Sequence, residues 1–374
     1  MTDNPGVLIY LLAFLIVIGV LVFVHEMGHY LVGRWCGVKA ETFSIGFGKE
    51  IAGWTDKRGT RWKVCMLPLG GYVQFAGDMD PSGMKSKEWL NLPAAERNQT
   101  FQSKSLWKRA AIVFAGPAIN FIFAILIITG FVIAYGTSST LPVASAISEN
   151  STAAAIGMKP GDRVISVDGE KIELFEDLQQ KIILIPDQKV EIIYERDGQS
   201  IAKQGTIGVN IMKDRFGNEY RLGLLGMASS EVEWRDVSPI EAPVIAVEKT
   251  IGIVDQITTT LGQVITGKRS IKDLGGPLKI AQVSGEQFKL GLEAFILFVA
   301  LISINLGFIN LLPIPMLDGG HLMFYAIEAV RRKPASPKVQ EWAFRSGLAL
   351  VMVFMLVVTF NDLTSFGLFR SVTG

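Results

Sequence analysis

The chain has 374 residues, of which 49% are hydrophobic and 19% are charged, and its mean hydropathy is +0.36. These values exclude an ordinary soluble domain and are typical of a protein that crosses a membrane several times. The formal net charge of +1 gives no indication of a nucleic-acid partner.

The first apolar run, residues 7–24, carries no charge and leads directly into the motif H-E-M-G-H, which begins at His25. Ionisable side chains are costly at membrane depth and usually face a protein interior or water. On a helix, His25 and His29 lie on one face, one turn apart, and Glu26 lies about 100° further around the axis. H-E-x-x-H is typical of metalloproteases, in which the two His bind zinc and the Glu is the general base. We therefore expect His25 and His29 to be metal ligands and Glu26 to be catalytic.

The polar segment that follows is rich in strand-forming residues. Strands are predicted at 42–47, 50–54 and 60–67, with a turn at 56–59. Because these strands come directly after the motif helix, we expect them to associate with the membrane. Their edges could hold an extended stretch of substrate by strand pairing. The alternative is an ordinary surface hairpin.

The second apolar run, residues 110–135, precedes a β-rich segment. Strands are predicted at 143–147, 163–167 and 189–196, and a helix at 175–185. We expect residues 187–221 to complete the same sheet. The sequence S-T-A-A-A-I-G-M-K-P-G-D-R-V from Ser151, followed by V-D-G, resembles a PDZ domain, a fold that binds extended chains by strand addition. The alternative is a generic β domain.

Two further apolar runs, residues 294–317 and 346–361, complete the predicted spans. The last run is short, because a span needs about 20 residues. Two prolines interrupt the third run near its end and break helical hydrogen bonding there. Non-helical backbone at membrane depth must be buried or line water. We therefore expect a bent, partly hydrated segment beside Asp318 and His321, either of which could supply a third metal ligand.

The distribution of positive charge predicts the orientation. Residues 34–109 carry more Lys and Arg than Asp and Glu, and the short loop around residues 331–338 is also basic. By the positive-inside rule both are cytoplasmic, and residues 136–290 and both termini lie outside. The first and third spans then bring His25 and Asp318 to the same depth.

Three motifs together resemble the site-2 protease family of intramembrane zinc proteases, and most of all its bacterial RseP branch. They are H-E-x-x-H at His25, G-P-A-I-N at Gly116, and N-L-L-P-I-P-M-L-D-G-G-H at Asn310. The resemblance covers almost the whole chain. It implies that Asp318 is the third zinc ligand, that His321 is a neighbour, and that Asn310 helps to position the substrate or the oxyanion. The best-known enterobacterial members resemble a tandem of two PDZ domains, whereas this chain has room for about one.

The sequence thus predicts a polytopic α-helical membrane protein with four transmembrane helices, a cytoplasmic-side β-hairpin region and an inserted extracytoplasmic PDZ-like domain. We expect a zinc metalloendopeptidase of the bacterial cytoplasmic membrane. The resemblance implies that it cleaves single-span membrane proteins, such as an anti-sigma factor already trimmed outside. The lipid bilayer is the other expected partner, and the oligomeric state stays open. A catalytically inactive PDZ scaffold and a metal transporter are the alternatives.

Seven segments follow from these patterns. They are 1–33 (first span with H-E-x-x-H), 34–106 (hairpin loop), 107–135 (second span), 136–227 (PDZ-like domain), 228–291 (amphipathic region), 292–330 (third span with the L-D-G motif) and 331–374 (basic loop, fourth span and tail).

Overall fold

The computed structural model describes residues 7–77, 93–213, 219–230, 232–267 and 275–365. Its helices are α1 (Val7–Trp35), α2 (Ala94–Arg97), α3 (Leu106–Tyr135), α4 (Thr152–Ala155), α5 (Phe175–Ile183), α6 (Ala242–Ile265), α7 (Pro277–Leu290), α8 (Leu292–Leu311), α9 (Asp318–Arg331) and α10 (Pro337–Ser365). Its strands are β1 (Ala40–Thr55), β2 (Arg61–Phe75), β3 (Thr137–Thr140), β4 (Ala146–Ile147), β5 (Arg163–Val167), β6 (Glu170–Lys171), β7 (Lys189–Arg196), β8 (Gln199–Thr206), β9 (Gly208–Lys213), β10 (Glu219–Leu224), β11 (Met227–Ala228) and β12 (Val232–Arg235).

The chain divides into two compact units. The first, formed by Met1–Ile128 and Gly275–Asp362, contains the apolar helices and the β1–β2 hairpin, and the second consists mainly of Thr129–Leu274. Within the described residues, four helices are long and apolar enough to cross a membrane, namely α1, α3, α8 and α10. The predicted fold class, four apolar spans with an added β region, is confirmed.

Small residues allow α1, α3 and α8 to approach one another closely. Gly28 of α1 lies against the backbone carbonyl of Ala115 on α3, and Gly307 of α8 lies against Pro117 and Phe121 of the same helix. A Cβ at Gly28 would overlap the Ala115 carbonyl, and a Cβ at Gly307 would lie only 3.0–3.1 Å from its neighbours. Because lipid tails are as apolar as Leu, close packing of this kind is a main source of helix association in membranes. It holds α3 against both neighbours.

The strands after α1 form the predicted hairpin, but they are longer and bent. Residues 42–45 pair with both 61–64 and 71–74, whereas residues 50–55 pair with 61–65. The stretch 61–64 therefore has partners on both sides and lies inside the sheet. Residues 71–75, called the edge segment below, pair on one side with β1.

Two glycines produce the bends, and the edge segment then reaches α1. Gly46 and Gly70 adopt φ values of 88° and 128°, which only glycine adopts at little cost. Gly71 lies against Val22 of α1, and a Cβ built on it would come within 3.2 Å of the Glu26 side chain. The sheet therefore approaches the H-E-x-x-H motif through the edge segment.

The third span ends in a bent, non-helical segment, as its two prolines predict. α8 stops at Leu311 and α9 begins at Asp318. Gly319 and Gly320 lie so close to the carbonyl groups of Leu311 and Ile314 that a side chain would not fit at either glycine. This packing fixes the start of α9 and, with it, the backbone of Asp318.

The fourth span is longer than the sequence predicts. The apolar run covers residues 346–361, but α10 has 29 residues. Its first turns are charged and still helical, with Glu341 and Arg345 paired at 2.7 Å one turn apart, an arrangement that supports a helix. Apolarity alone therefore underestimates the length of this helix.

An additional helix, α7, precedes the third span and is capped from a distance. The buried carboxylate of Asp362 in α10 accepts hydrogen bonds from the backbone N–H groups of Gly276 and Lys279, each at 3.1 Å. A carboxylate satisfies the free N–H groups of a helix N-terminus and complements its dipole. Gly285 of α7 packs against Tyr10 of α1. α7 is not apparent from the sequence as a helix of its own, because its cap lies 86 positions away along the chain.

The β-rich unit contains a four-stranded sheet in the order β6-β5-β7-β8. β5 and β7 have the predicted bounds, and their buried residues Val164 and Ile192 belong to one apolar core with Leu178 and Ile182 of α5. The expectation that residues 187–221 complete this sheet is wrong beyond Thr206. There, the Gly208 N–H bonds to the Thr152 hydroxyl, and β9 pairs with β10 as a separate ribbon.

A buried ion pair joins the turn before β5 to the end of β7. The side chain of Asp162 is 1% exposed and accepts hydrogen bonds from Arg196 Nε and Nη2, both at 2.7 Å, and from the Lys159 backbone N–H. Burial raises the pKa of the Asp162 carboxyl, but these hydrogen bonds and the Arg196 charge outweigh it and hold the pKa below its usual range. The carboxylate therefore stabilises the folded unit at neutral pH.

We expect Asp162→Asn to lower the unfolding free energy of this unit by about 1–3 kcal/mol at pH 7, because it weakens hydrogen bonds to a charged group. The pKa of Asp162 is lower in the folded than in the unfolded protein, where it is about 3.9. The ionised carboxylate therefore stabilises the folded unit above about pH 3.9, and this stabilisation is lost as the pH falls through the folded-state pKa. The difference from wild type should therefore shrink below about pH 4. Hydrogen exchange of β7 peptides in the full-length protein, followed across a urea series at pH 7 and again below about pH 4, measures this stability difference. An equal difference at both pH values would contradict the assignment.

Candidate metal centre

His25 and His29 lie on the same face of α1, one turn apart, as their spacing predicts. Their Nε2 atoms are 3.3 Å apart, and their side chains are 12% and 13% exposed. A neutral imidazole offers one donor and one acceptor, so these two nitrogens can share a proton only when the two rings are in different tautomers. Both Nε2 atoms face a common point.

Asp318, the first residue of α9, brings a carboxylate to that point. Its Oδ2 lies 3.2 Å from His25 Nε2 and 3.5 Å from His29 Nε2. Among the described residues, these three side chains form a group that could hold a metal ion. Residues almost 300 positions apart therefore meet at one site, as the topology argument predicts.

The other ring nitrogen of each histidine also has a partner, and both partners come from α3. His29 Nδ1 lies 2.8 Å from the carbonyl oxygen of Ile112, and His25 Nδ1 lies 3.0 Å from Asn120 Nδ2. A carbonyl can only accept, so His29 carries its proton on Nδ1 and presents the Nε2 lone pair. Metal-bound histidines usually have such partners, which fix the ring orientation.

The donor set fits zinc. Zinc–nitrogen and zinc–oxygen bonds of about 2.0–2.2 Å at a tetrahedral angle separate neighbouring ligand atoms by about 3.3–3.5 Å. The three observed separations are 3.2, 3.3 and 3.5 Å. In addition, Asp318 Oδ2 is buried without a hydrogen-bond partner among the described residues, a state that is costly unless a cation satisfies it. Two imidazoles and one carboxylate are a catalytic zinc set that leaves one position open.

Glu26 lies next to the two histidines and between α1 and the edge segment. Its side chain is buried, with 8% of the residue exposed. The backbone N–H of Val73 interacts with its carboxylate, and Gly71 lies beside it. The absence of a side chain at Gly71 leaves room for this carboxylate.

Two other residues, His321 and Asn310, are candidates for the site on sequence grounds. The imidazole of His321 packs against Phe344, with ring centroids 4.9 Å apart, and it does not belong to the group of candidate ligands in the described part of the chain. Asn310 lies in the last turn of α8 and is half-buried. Its predicted role in catalysis stays a prediction.

Three residues of α3 that border the histidines received no role in the sequence analysis. Ile112, Gly116 and Asn120 follow at intervals of four and so share one face of the helix. Gly116 lies against the imidazole of His29, where a Cβ would overlap the ring. Gly116 and Asn120 stand in the G-P-A-I-N motif, but the motif alone does not tell which helix face they occupy.

Comparison with known proteins places this geometry in a family. The model of peptidase family M50 matches residues 13–354. The chain belongs to peptidase family M50. A protein of Agrobacterium fabrum named as a candidate zinc metalloprotease is 43% identical over 361 residues, covering 95% of this chain and 96% of that one. Metalloprotease MmpA of Caulobacter vibrioides is 35% identical over 395 residues and covers 99% of each chain.

Among solved structures, the PDZ domain of an SdrC-like protein from Listeria monocytogenes matches 24% of this chain and 85% of its own, with 16% identity and a TM-score of 0.19. The resemblance to the site-2 protease family, drawn from three motifs, is confirmed. This M50 protein is a zinc metalloprotease with membrane-spanning helices. Its zinc dependence agrees with the three donor atoms found between α1 and α9.

We expect Gly116→Ala to weaken zinc binding by about tenfold or more, because the new methyl group displaces the His29 imidazole and support residues of this kind are worth about 10–100-fold in affinity. Competition with a chelator on the detergent-purified protein measures the effect. Gly130→Ala is the matched control, since it lies on the same helix with no atom within 4 Å of the added methyl. Equal zinc affinity in the two variants would contradict the contact.

Proposed function

We propose that this M50 protein hydrolyses peptide bonds in or near the transmembrane segment of single-span membrane proteins, with zinc held by His25, His29 and Asp318. The observation that carries the proposal is the spacing of the three donor atoms, 3.2–3.5 Å, inside a bundle of apolar helices. A metal transporter would need polar side chains spread along its spans, whereas these three lie together at one depth. The family assignment also favours the protease.

The chain's own residues perform the proton transfers and position the reacting groups. Zinc, when bound, supplies a Lewis acid that polarises the peptide carbonyl and lowers the pKa of the attacking water. The Glu26 carboxylate accepts the proton of that water and delivers it to the leaving amine. Burial between α1 and the edge segment keeps bulk water away from this carboxylate. The amide of Asn310 donates to the developing oxyanion.

The substrate must lose helical structure before it is cut. A transmembrane helix buries its peptide groups in its own hydrogen bonds, so the chain around the scissile bond has to become extended. The edge segment lies beside Glu26 and pairs with β1 on one side. Apart from the Val73 N–H, which interacts with Glu26, its other side offers backbone groups with which an extended substrate strand can pair. The interior stretch 61–64 has both sides occupied and cannot serve in this way.

The protein resides in the bacterial cytoplasmic membrane, with the hairpin on the cytoplasmic side and the inserted domain and both termini outside. Exposed tryptophans support the placement of three helix ends at a membrane interface. Trp35 ends α1, Trp107 opens α3 and Trp342 lies near the start of α10, and they are 80%, 77% and 72% exposed. Tryptophans collect at membrane interfaces, and the charge rule assigns all three helix ends to the same side.

The substrates are single-span proteins already trimmed outside, such as anti-sigma factors. The resemblance to the site-2 protease family is the support for this class. The inserted PDZ-like domain then serves as a docking site or size filter for the trimmed end. Room for about one such domain argues against a gating scheme that needs two.

We expect Glu26→Gln to bind zinc like the wild type and to lose proteolysis, because a neutral amide cannot accept the proton of the attacking water. Removing a general base costs about 10²–10⁴-fold in rate. His25→Ala and Asp318→Ala should instead lose the metal. Zinc analysis and cleavage of a single-span test protein in detergent separate the two classes. Normal turnover by Glu26→Gln would refute the assignment of the base.

We also expect cleavage to depend on the helix stability of the substrate. Two Leu→Gly changes in its transmembrane segment weaken the helix by about 2 kcal/mol, and should raise the cleavage rate by about tenfold when placed in the cytoplasmic half. The same pair in the opposite half is the control, and gel-based cleavage rates are the measurement. If both substrates were cut at the unmodified rate, unwinding would not limit the reaction.

A further inference from the structure

Asn120 has an unusual environment for an amide. It is fully buried in α3, its Nδ2 lies 3.0 Å from His25 Nδ1, and its Oδ1 has no hydrogen-bond partner among the described residues. A buried, half-satisfied amide is costly. Asn120 lies on the α3 face that borders both histidines, where its amide can orient a candidate zinc ligand.

The chemistry of His25 determines which atom of the amide must face it. A neutral imidazole that binds a metal through Nε2 carries its proton on Nδ1, and that N–H needs an acceptor. For His29 the acceptor is the Ile112 carbonyl. For His25 the neighbouring group is the Asn120 amide, in which only Oδ1 can accept. A half-turn of the amide exchanges its nitrogen and oxygen without moving the rest of the side chain.

We propose that Asn120 is a positioning residue that, with Oδ1 toward Nδ1, holds His25 in the tautomer that presents Nε2 to zinc. This inference rests on the proposed function. The observed orientation, with Nδ2 toward Nδ1, belongs to the other neutral tautomer, in which Nε2 carries the proton and has no lone pair for zinc. An amide can hydrogen-bond to either tautomer, because it has both a donor and an acceptor. An ionised carboxylate only accepts, so it can hydrogen-bond only to the tautomer with the proton on Nδ1, which is the metal-binding one.

The neighbouring Ser303 provides a matched control. Its hydroxyl donates to the backbone carbonyl of Asn120 at 2.8 Å, from α8, and it too is fully buried. Ser303→Ala therefore removes a hydrogen bond at the same residue and depth while leaving the amide on His25 in place. This variant measures how zinc binding responds to a loss of hydrogen bonding at α3 when the contact between the Asn120 amide and His25 is kept.

The test compares Asn120→Leu, Asn120→Asp and Ser303→Ala with wild type in the full-length, detergent-purified protein. Zinc affinity is measured by chelator competition, and cobalt(II) absorption reports the ligand field of the site. Circular dichroism verifies folding.

The three variants should differ in zinc affinity. Leu has nearly the same shape as Asn but no acceptor, so Asn120→Leu should bind zinc about 10–100-fold more weakly, the loss that is typical when the outer-shell partner of a metal-binding histidine is removed. Asn120→Asp keeps an acceptor and should restore the wild-type affinity and cobalt spectrum. Ser303→Ala should melt earlier and bind zinc normally.

Wild-type zinc affinity in Asn120→Leu would overturn the inference, and so would a loss in Asn120→Asp as large as in Asn120→Leu. If Asn120→Leu does not fold, the smaller truncation Asn120→Ala takes its place, with the same expected loss. A failure of the proposed function would give a different result. The wild-type protein would then bind no zinc, or His25→Ala would still bind it, and both the zinc site and the role of Asn120 would be overturned.

Discussion

The structure depends on one costly requirement, which is that three polar donor atoms must be satisfied between apolar helices. His25, His29 and Asp318 place two nitrogens and an oxygen within 3.2–3.5 Å of one another. No hydrogen bond among the described residues satisfies Asp318 Oδ2. Burying such groups without compensation costs several kcal/mol. A cation at their centre would remove that cost, and it would link α1 to α9 as well as supply the reactive centre.

α3 provides the rigid surface against which the histidines are set. Its residues Ile112, Gly116 and Asn120 recur every four positions, which matches the spacing of His25 and His29 on α1. Gly28 brings the two backbones together, so the outer face of each imidazole meets α3 directly. A site built on packed helices is held more precisely than one on loops. The one irregular element, the proline-containing segment before α9, is itself fixed by the close packing of Gly319 and Gly320.

The sequence was most informative where a single residue pattern determines the chemistry. The H-E-x-x-H motif and the proline break correctly brought the two histidines of α1 to the segment that carries Asp318 and His321, because helix periodicity and membrane depth constrain both segments. The choice of Asp318 over His321 came from the family resemblance. Prediction from the sequence failed where the deciding contact is made by a residue distant along the chain. The cap that Asp362 gives α7, the departure of β9 from the sheet at Gly208 and the amide beside His25 all depend on tertiary neighbours. The bend of β1 and β2, which makes residues 71–75 the edge next to Glu26, is likewise invisible to strand propensity.

The most direct test of this account is zinc-edge X-ray absorption of the full-length protein in detergent. The account predicts one zinc per chain with two imidazole nitrogens and one carboxylate oxygen at about 2.0–2.2 Å and no sulfur ligand. In Asp318→Ala this coordination should disappear. A zinc–sulfur distance of about 2.3 Å, or an unchanged spectrum in Asp318→Ala, would show that the metal binds elsewhere and would contradict the central claim.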